Sequence, residues 1–184
     1  MAVQGPIVIT GASSGIGAAC AQYLDALGCT VWAGVRNAQD GEALTRLASS
    51  RLRVLMLDVT DPASIEAARK MLAEATRDTG LGGLVNNAGI SVAGPLELLP
   101  LSEVRTQFEV NVIGVLAVTQ ALLPLLRRAR GRIVNISSIA GLAATPFLGA
   151  YCSSKFALEA MSDALRLELA PWGISVSLVE PGAI

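Results

Sequence analysis

Histidine is absent from the 184-residue chain, and cysteine occurs only three times, as Cys20, Cys29 and Cys152. A zinc site of histidine and paired cysteine ligands cannot be assembled from such a set. Any acid/base catalyst must therefore be Tyr, Lys, Asp, Glu or Ser. Three unclustered cysteines also form no disulfide framework, so free thiols in a reducing compartment are expected. Charge is scarce too: 16% of residues are charged, and 14 basic against 15 acidic side chains leave a formal net charge of -1. A balanced surface of this kind excludes nucleic acid or an acidic membrane as the main partner and leaves a small molecule.

What the chain has in quantity is apolar side chain, at 52% of residues. That suffices to bury both faces of a sheet and excludes intrinsic disorder. The length suits one domain over residues 1–184, with no separate substrate domain. Residues Val110 to Leu126 carry no charge and reach roughly the lower limit of a membrane-spanning length. Asn111, Thr119, Gln120 and Pro124 interrupt them, so a buried helix is expected rather than a membrane span. The opening residues MAVQGPIVIT lack a basic region followed by a long apolar stretch. No signal peptide and a cytoplasmic location are the corresponding expectations.

Short β-rich runs alternate with longer helical segments: PIVIT, then Gly15 to Leu27; TVWAGV, then Glu42 to Ser50; RVLMLDV, then Pro62 to Thr76. The alternation continues with GGLVNNAG, a long helix from about Ser102 to Arg128, RIVNIS, a helix from about Tyr151 to Leu169, and ISVSLVEP. Six nearly continuous apolar strands predict a doubly wound, Rossmann-like α/β fold. Its sheet should be parallel, with helices on both faces and right-handed crossovers. Asp61 before Pro62 predicts an N-cap, and Gly28 and Gly173 stand just beyond helix ends. Arg127, Arg128, Arg130 and Arg132 gather where the long helix ends, at the negative pole of its dipole.

The last helix has two apolar faces. Phe156, Ala160, Ala164 and Leu167 form one, and Leu158, Met161, Leu165 and Leu169 the other. One face should meet the sheet; a second subunit, in a homodimer or homotetramer, is the expected cover for the other, with packing against the long neighbouring helix as a partial alternative.

After the first strand comes the turn Thr10-Gly-Ala-Ser-Ser-Gly-Ile-Gly17. Gly11 permits the tight turn, Gly15 lets backbone amides approach a pyrophosphate, and Gly17 allows close helix-strand packing. Together with Ser13, Ser14 and Ile16 these residues form the expected cofactor turn. The second strand ends in Ala33-Gly-Val-Arg-Asn37, without the carboxylate that would bind a ribose 2′-hydroxyl and repel a 2′-phosphate. Arg36 could pair with that phosphate and Ser13 could add a hydroxyl, so NADP is favoured while NAD stays possible. A plain surface charge is the alternative reading of Arg36. Asp58 and Val59 end the third strand and suit an adenine edge and face, or, for Asp58, a turn before the next helix.

Tyr151 and Lys155 stand one helical turn apart on one face. A free phenol titrates near ~10, and a neighbouring ammonium favours its phenolate, which brings proton exchange within reach.

These residues share one order along the chain: TGASSGIG at Thr10 to Gly17, LDVTD around Asp58, NNAG at Asn86 to Gly89, Asn111, Ser137-Ser138, Tyr151 with Lys155, and Pro181-Gly182. In that order and spacing the chain resembles the short-chain dehydrogenases/reductases, most closely their retinol and hydroxysteroid dehydrogenase branch. The resemblance implies hydride exchange between NADP(H) and a bulky apolar alcohol or ketone. It implies Tyr151 as the acid/base, Ser138 as the second donor to the reacting oxygen, with Ser137 the weaker choice, and Lys155 as the partner of tyrosine and cofactor ribose. It implies Asn111 as holder of a water in a proton relay, with a helix-interior structural amide as the alternative. Asn87, Ala88 and Gly89 would shape the strand end beside the adenosine half, Asn86 would stabilise the strand, and Pro181 and Gly182 would approach the nicotinamide.

Two departures stand out. Lipid-processing relatives often carry an N-terminal anchor, and none is expected before the first strand here. Relatives also continue beyond Pro181-Gly-Ala-Ile184 into a substrate lid and a last strand, so the fold is expected to be truncated after the sixth strand. A nucleotide-binding scaffold without turnover is the competing expectation.

Overall fold

The computed structural model describes residues 5–46 and 48–182. The expectations for the first four residues and for the chain end at 183–184 lie outside the described residues. Six strands, β1 (Ile7–Ile9), β2 (Val31–Val35), β3 (Leu52–Met56), β4 (Gly83–Asn86), β5 (Arg132–Ile136) and β6 (Ser175–Val179), form one sheet. Every pairing is parallel, and the order is β3-β2-β1-β4-β5-β6. Chain order reverses between β1 and β4, so the crevice beyond their carboxyl ends is where a doubly wound sheet takes a ligand. β1, β2 and β4 are buried throughout, whereas the outer strands β3 and β6 mix buried with exposed positions. The continuous apolar reading therefore holds for the centre and fails at the edges, where only one face is covered.

Helices α1 (Gly15–Ala26) and α2 (Ala38–Thr45) cover one face through Ala21 and Leu44, packed with Ile9, Val31 and Ala33. The second helix starts four residues before the expected Glu42, because Asn37 accepts from the Asp40 backbone amide and caps it. Helix α3 (Pro62–Ala75) is capped by Asp61, which accepts from Ala63 N at 2.9 Å. With α5 (Val115–Ala129) and the end of α6 (Gly149–Leu169), α3 covers the other face around Leu72, Leu84, Leu126 and Ile133. Each such fully buried side chain contributes roughly 1.5–3 kcal/mol. Gly28 and Gly173 take φ of +87° and +69°, a left-handed backbone that ends the preceding helix as the sequence predicts.

The long helix is not uniform. It runs as α4 (Leu101–Phe108), a π-helical segment Glu109–Gly114, and α5. By length and composition Leu101–Ala129 could cross a membrane. In the fold, Val118, Leu122, Leu125 and Leu126 of that segment are packed into the core. Its basic end is exposed: Arg127 lies over the Trp172 ring at 4.2 Å, and Arg128 donates to the Arg77 carbonyl.

A buried polar line crosses the sheet centre. Asn86 Nδ2 donates to Thr119 Oγ1 at 3.0 Å and to Asn135 Oδ1 at 2.9 Å, and Asn135 Nδ2 donates to Ser162 Oγ at 2.8 Å. It ties α5, β4, β5 and α6 in fixed register below the crevice, and each bond is worth about 1 kcal/mol net.

Candidate active site

The glycine turn is held from β4. Thr10 Oγ1 accepts from the backbone amides of Asn87 and Ala88, both at 3.0 Å, and Asn87 Nδ2 donates to the carbonyls of Thr10 and Gly11. Gly11 has φ of +63°, and a Cβ there would lie 2.7 Å from Ala88 Cα. Gly15 has φ of +54° with open space where its side chain would be. A side chain on Gly17 would collide with the Gly11 carbonyl and the Asn87 amide, so the third glycine packs against the turn and the residue that follows β4. Ser14 caps α1 without a side-chain bond to the helix, and Ser13, Ser14, Gly15 and Ile16 are exposed. Unpaired amides at a helix start beside free hydroxyls make an anion cradle.

From this turn a cleft of about 620 Å³ runs along the carboxyl ends of the strands. Gly11, Ser13, Ser14 and Ile16 line one end, with Arg36, Asp58 and Val59 beside them. Asn87, Ala88 and Gly89 line the middle, and Ser138, Tyr151, Lys155, Pro181 and Gly182 the other end. Of the residues the sequence points to, Gly15, Gly17 and Asn111 are off the wall.

Arg36 is exposed at the end of β2. Asp58 Oδ1 accepts from the Thr60 backbone amide at 2.8 Å and the Thr60 hydroxyl at 2.7 Å, so its role as a turn residue is realised while it also faces the cleft. Those two bonds hold its carboxyl below the usual carboxylate range, with Arg36 adding a smaller pull.

Tyr151 and Lys155 lie in the first turns of α6, with Lys155 Nζ 5.7 Å from the Tyr151 ring centre. Lys155 Nζ donates to the Ile136 carbonyl at 2.8 Å. Burial lowers the lysine to about 8, and the Glu159 carboxylate pulls in the opposite direction. Ser138 follows β5 and accepts from Ala140 N at 3.1 Å, capping the 3-10 turn Ile139–Gly141. Its own O–H stays available to the cleft. Ser137 Oγ is buried without a hydrogen-bond partner.

Asn111 sits in the π-helical segment, 1% exposed. Its Oδ1 accepts from Ile90 N at 2.9 Å, and its Nδ2 donates to Ile90 O at 2.9 Å and to Ser154 Oγ at 3.0 Å. The amide is thus engaged structurally, pinning the segment after β4 to α6. A Cβ on Gly89 would lie 3.4 Å from Asn111 Oδ1 and 3.9 Å from Lys155 Nζ, so the asparagine and the lysine meet at this glycine.

The family model for short chain dehydrogenase matches residues 6–184. The chain belongs to the short chain dehydrogenase family. It is 47% identical over 177 residues to mouse retinol dehydrogenase 5, covering 96% of this chain and 55% of that protein. It is 48% identical over 177 residues to human 17-beta-hydroxysteroid dehydrogenase type 6, covering 96% of this chain and 56% of the relative. The chain thus spans about half the length of these curated relatives. Among solved structures, a short-chain dehydrogenase from Streptomyces avermitilis superposes with a TM-score of 0.92 at 37% identity, over 98% of this chain and 66% of that one. A gluconate 5-dehydrogenase from Burkholderia cenocepacia in complex with NADP and tartrate superposes with a TM-score of 0.88 at 27% identity, over 97% and 71%.

Sequence reasoning missed the flank of this short chain dehydrogenase cleft formed by Ile90, Ser91, Thr106 and Val110. Its trace in the sequence is an amide pair, Gln107 and Asn111, one turn apart. Gln107 Oε1 accepts from Val92 N at 2.6 Å as Asn111 holds Ile90, so the two amides fasten the segment that carries this wall.

Proposed function

We propose that this chain is an oxidoreductase interconverting an alcohol and a carbonyl with NADP(H), NAD(H) being the weaker substrate. The observation that carries the reading is that Ser138, Tyr151 and Lys155 share one cleft with the glycine turn and Arg36. The residues fit a dinucleotide. Open space at Gly15, the bare start of α1 and two free serine hydroxyls suit a pyrophosphate, and Arg36 with Ser13 suits a ribose phosphate. Asp58 and Val59 would take the adenine, and Pro181 and Gly182 would border the nicotinamide, whose contribution when bound is to give or take a hydride.

The chain's own residues then govern the proton and the reacting oxygen. In reduction, Tyr151 gives its hydroxyl proton to the carbonyl oxygen while Ser138 donates a hydrogen bond to the same atom. In oxidation, Tyr151 as phenolate takes the alcohol proton, and the Lys155 ammonium favours that phenolate electrostatically. Lys155 would also hold the cofactor ribose. Asn111 would keep a relay water near Lys155 at the Gly89 gap, with its side chain holding Ile90 in place.

Similarity to retinol and 17-beta-hydroxysteroid dehydrogenases supports a bulky apolar substrate. The three free cysteines suit a reducing, cytoplasmic setting. Phe156 and Leu167, 44% and 78% exposed, share an open face of α6 with Ala160 and Ala164, and a second copy of the chain would cover it in a homodimer or homotetramer.

The test is consumption of NADPH with a panel of hydrophobic ketones. Turnover supports the oxidoreductase; cofactor binding without turnover across the panel would overturn it in favour of a nucleotide-binding scaffold.

A further inference from the structure

Glu159 stands one helical turn beyond Lys155 on α6 and takes no part in the mechanism above. Its Oε1 is buried and has no hydrogen-bond partner, and the same is true of the Ser137 hydroxyl, 3% exposed as a residue. The two atoms converge on one glycine. A Cβ built on Gly141 would lie 3.0 Å from Ser137 Oγ and 3.2 Å from Glu159 Oε1, with Glu159 Cγ at 3.1 Å. The carboxylate therefore packs against the short turn Ile139–Gly141 that follows Ser138, directly behind the reacting groups. An acidic side chain is rarely left in such a place without a charge to face.

The surroundings of Lys155 identify that charge. From β5 it meets the Ile136 carbonyl. At the end of β4, Gly89 adjoins it, and the π-helical segment offers the Asn111 amide. From α6 it meets the Tyr151 ring. Glu159 is the carboxylate one turn along the same helix, and its charge opposes the effect of burial on the lysine.

We propose that Glu159 is a positioning residue for the proton-transfer pair, the fixed counter-charge that holds the Lys155 ammonium under Tyr151 and braces the Ser138 turn. This assignment rests on the oxidoreductase reading for its purpose, and for its physics on the spacing of Lys155 and Glu159 one turn apart on α6 and on the partnerless, buried Glu159 oxygen. Burial by itself drives Lys155 toward the neutral amine, which would leave the phenolate without a partner. Glu159 opposes that drive from the side away from the cleft, where it does not compete for substrate or cofactor. Gly141 is the matching piece, since a Cβ there would crowd both the Ser137 hydroxyl and the Glu159 side chain.

The chain contains two lysines, Lys70 and Lys155, which makes the test direct. Protein grown with 13C-labelled lysine and titrated without cofactor gives one signal for each, and Lys70 serves as the internal reference. In the unaltered chain the Lys155 signal should titrate near 8. In Glu159→Gln it should titrate at lower pH while Lys70 stays where it was, and Glu159→Asp should restore part of the difference. A Lys155 signal that titrates identically with and without the Glu159 charge overturns the proposal. Should Glu159→Gln fail to fold, Glu159→Met fills the same space without charge and answers the same question.

Turnover supplies a second readout. For Glu159→Gln, kcat should fall by roughly threefold or more at pH 8 relative to its value at pH 6.5, with KM for the ketone little changed. A uniform loss at every pH would mark Glu159 as merely structural. If the unaltered chain turns over no ketone, the oxidoreductase reading fails and the lysine titration still decides the role of Glu159.

Discussion

Asn87 and Gly11 are joined by a 2.9 Å hydrogen bond from the asparagine side-chain amide to the glycine carbonyl. The same amide reaches the Thr10 carbonyl at 3.0 Å, so the end of β4 sets the shape of the turn after β1. Asn87→Ala leaves both carbonyls without this partner and should lower stability by about 1–3 kcal/mol. It should also weaken cofactor binding by roughly tenfold, since the cradle loses its brace. Denaturant unfolding and a cofactor titration read the two effects. Weakened binding with unchanged stability would mean that Asn87 touches the cofactor rather than shaping its seat.

Arg36 is the exposed cation at the end of β2, and it faces the cleft beside Asp58. Arg36→Asp should replace a phosphate-pairing group by one that pairs with a ribose hydroxyl and repels phosphate. The ratio of kcat/KM for NADPH to that for NADH should fall by at least roughly tenfold. An unchanged ratio assigns Arg36 to the solvated surface.

Tyr151→Phe keeps the ring beside Lys155 and removes the proton. Turnover should fall by roughly 10²–10⁴-fold with little change in cofactor affinity. Ser138→Ala removes a donor to the reacting oxygen and should cost roughly 10²–10³-fold in kcat. Turnover close to that of the unaltered protein in the tyrosine variant would refute its role as acid/base.

The open face of α6 predicts an assembly. Leu167→Lys places a charge in the proposed contact without touching the core, because Leu167 is 78% exposed in the isolated chain. Sedimentation should show the unaltered chain as a dimer or tetramer at micromolar concentration and the variant shifted toward monomer. A clean monomer for the unaltered chain would sink the assembly.

Strand and helix placement were legible because each rests on a local pattern. The apolar runs of β1, β2 and β4, the Asp61-Pro62 cap and the glycines at 28 and 173 all reappear as predicted. The motifs also found most of the cleft, from Gly11 to Gly182. The π-helical segment at Asn111 was not legible, since its extra residue is stabilised by bonds to Ile90, 21 positions away. Gln107 stayed hidden for the same reason, and so did Glu159: an acid on a helix reads as a surface residue until Ser137 and Gly141 are folded against it.

Lys155 is expected to hold the fold and the chemistry in opposition. Burial lowers it from the ordinary 10.5 to about 8, which corresponds to about 3 kcal/mol of destabilisation below pH 8. Below that pH the lysine is charged in both folded and unfolded chains, and the folded one bears the full penalty. As pH rises from about 8 toward 10.5, the folded chain has released its proton while the unfolded chain still binds one, so stability rises with pH and the penalty disappears. Other groups titrate in this range, so the comparison is with Lys155→Met, which fills the space without charge. The variant also leaves the Ile136 carbonyl without its donor, an offset that does not change with pH. The difference in unfolding free energy between variant and parent should therefore shrink by about 3 kcal/mol between pH 7 and pH 10.5. Denaturant unfolding at a series of pH values measures it, and a difference independent of pH would show that Lys155 is not a buried ammonium. The same variant should lose turnover at every pH, because Tyr151 would have no cation beside it.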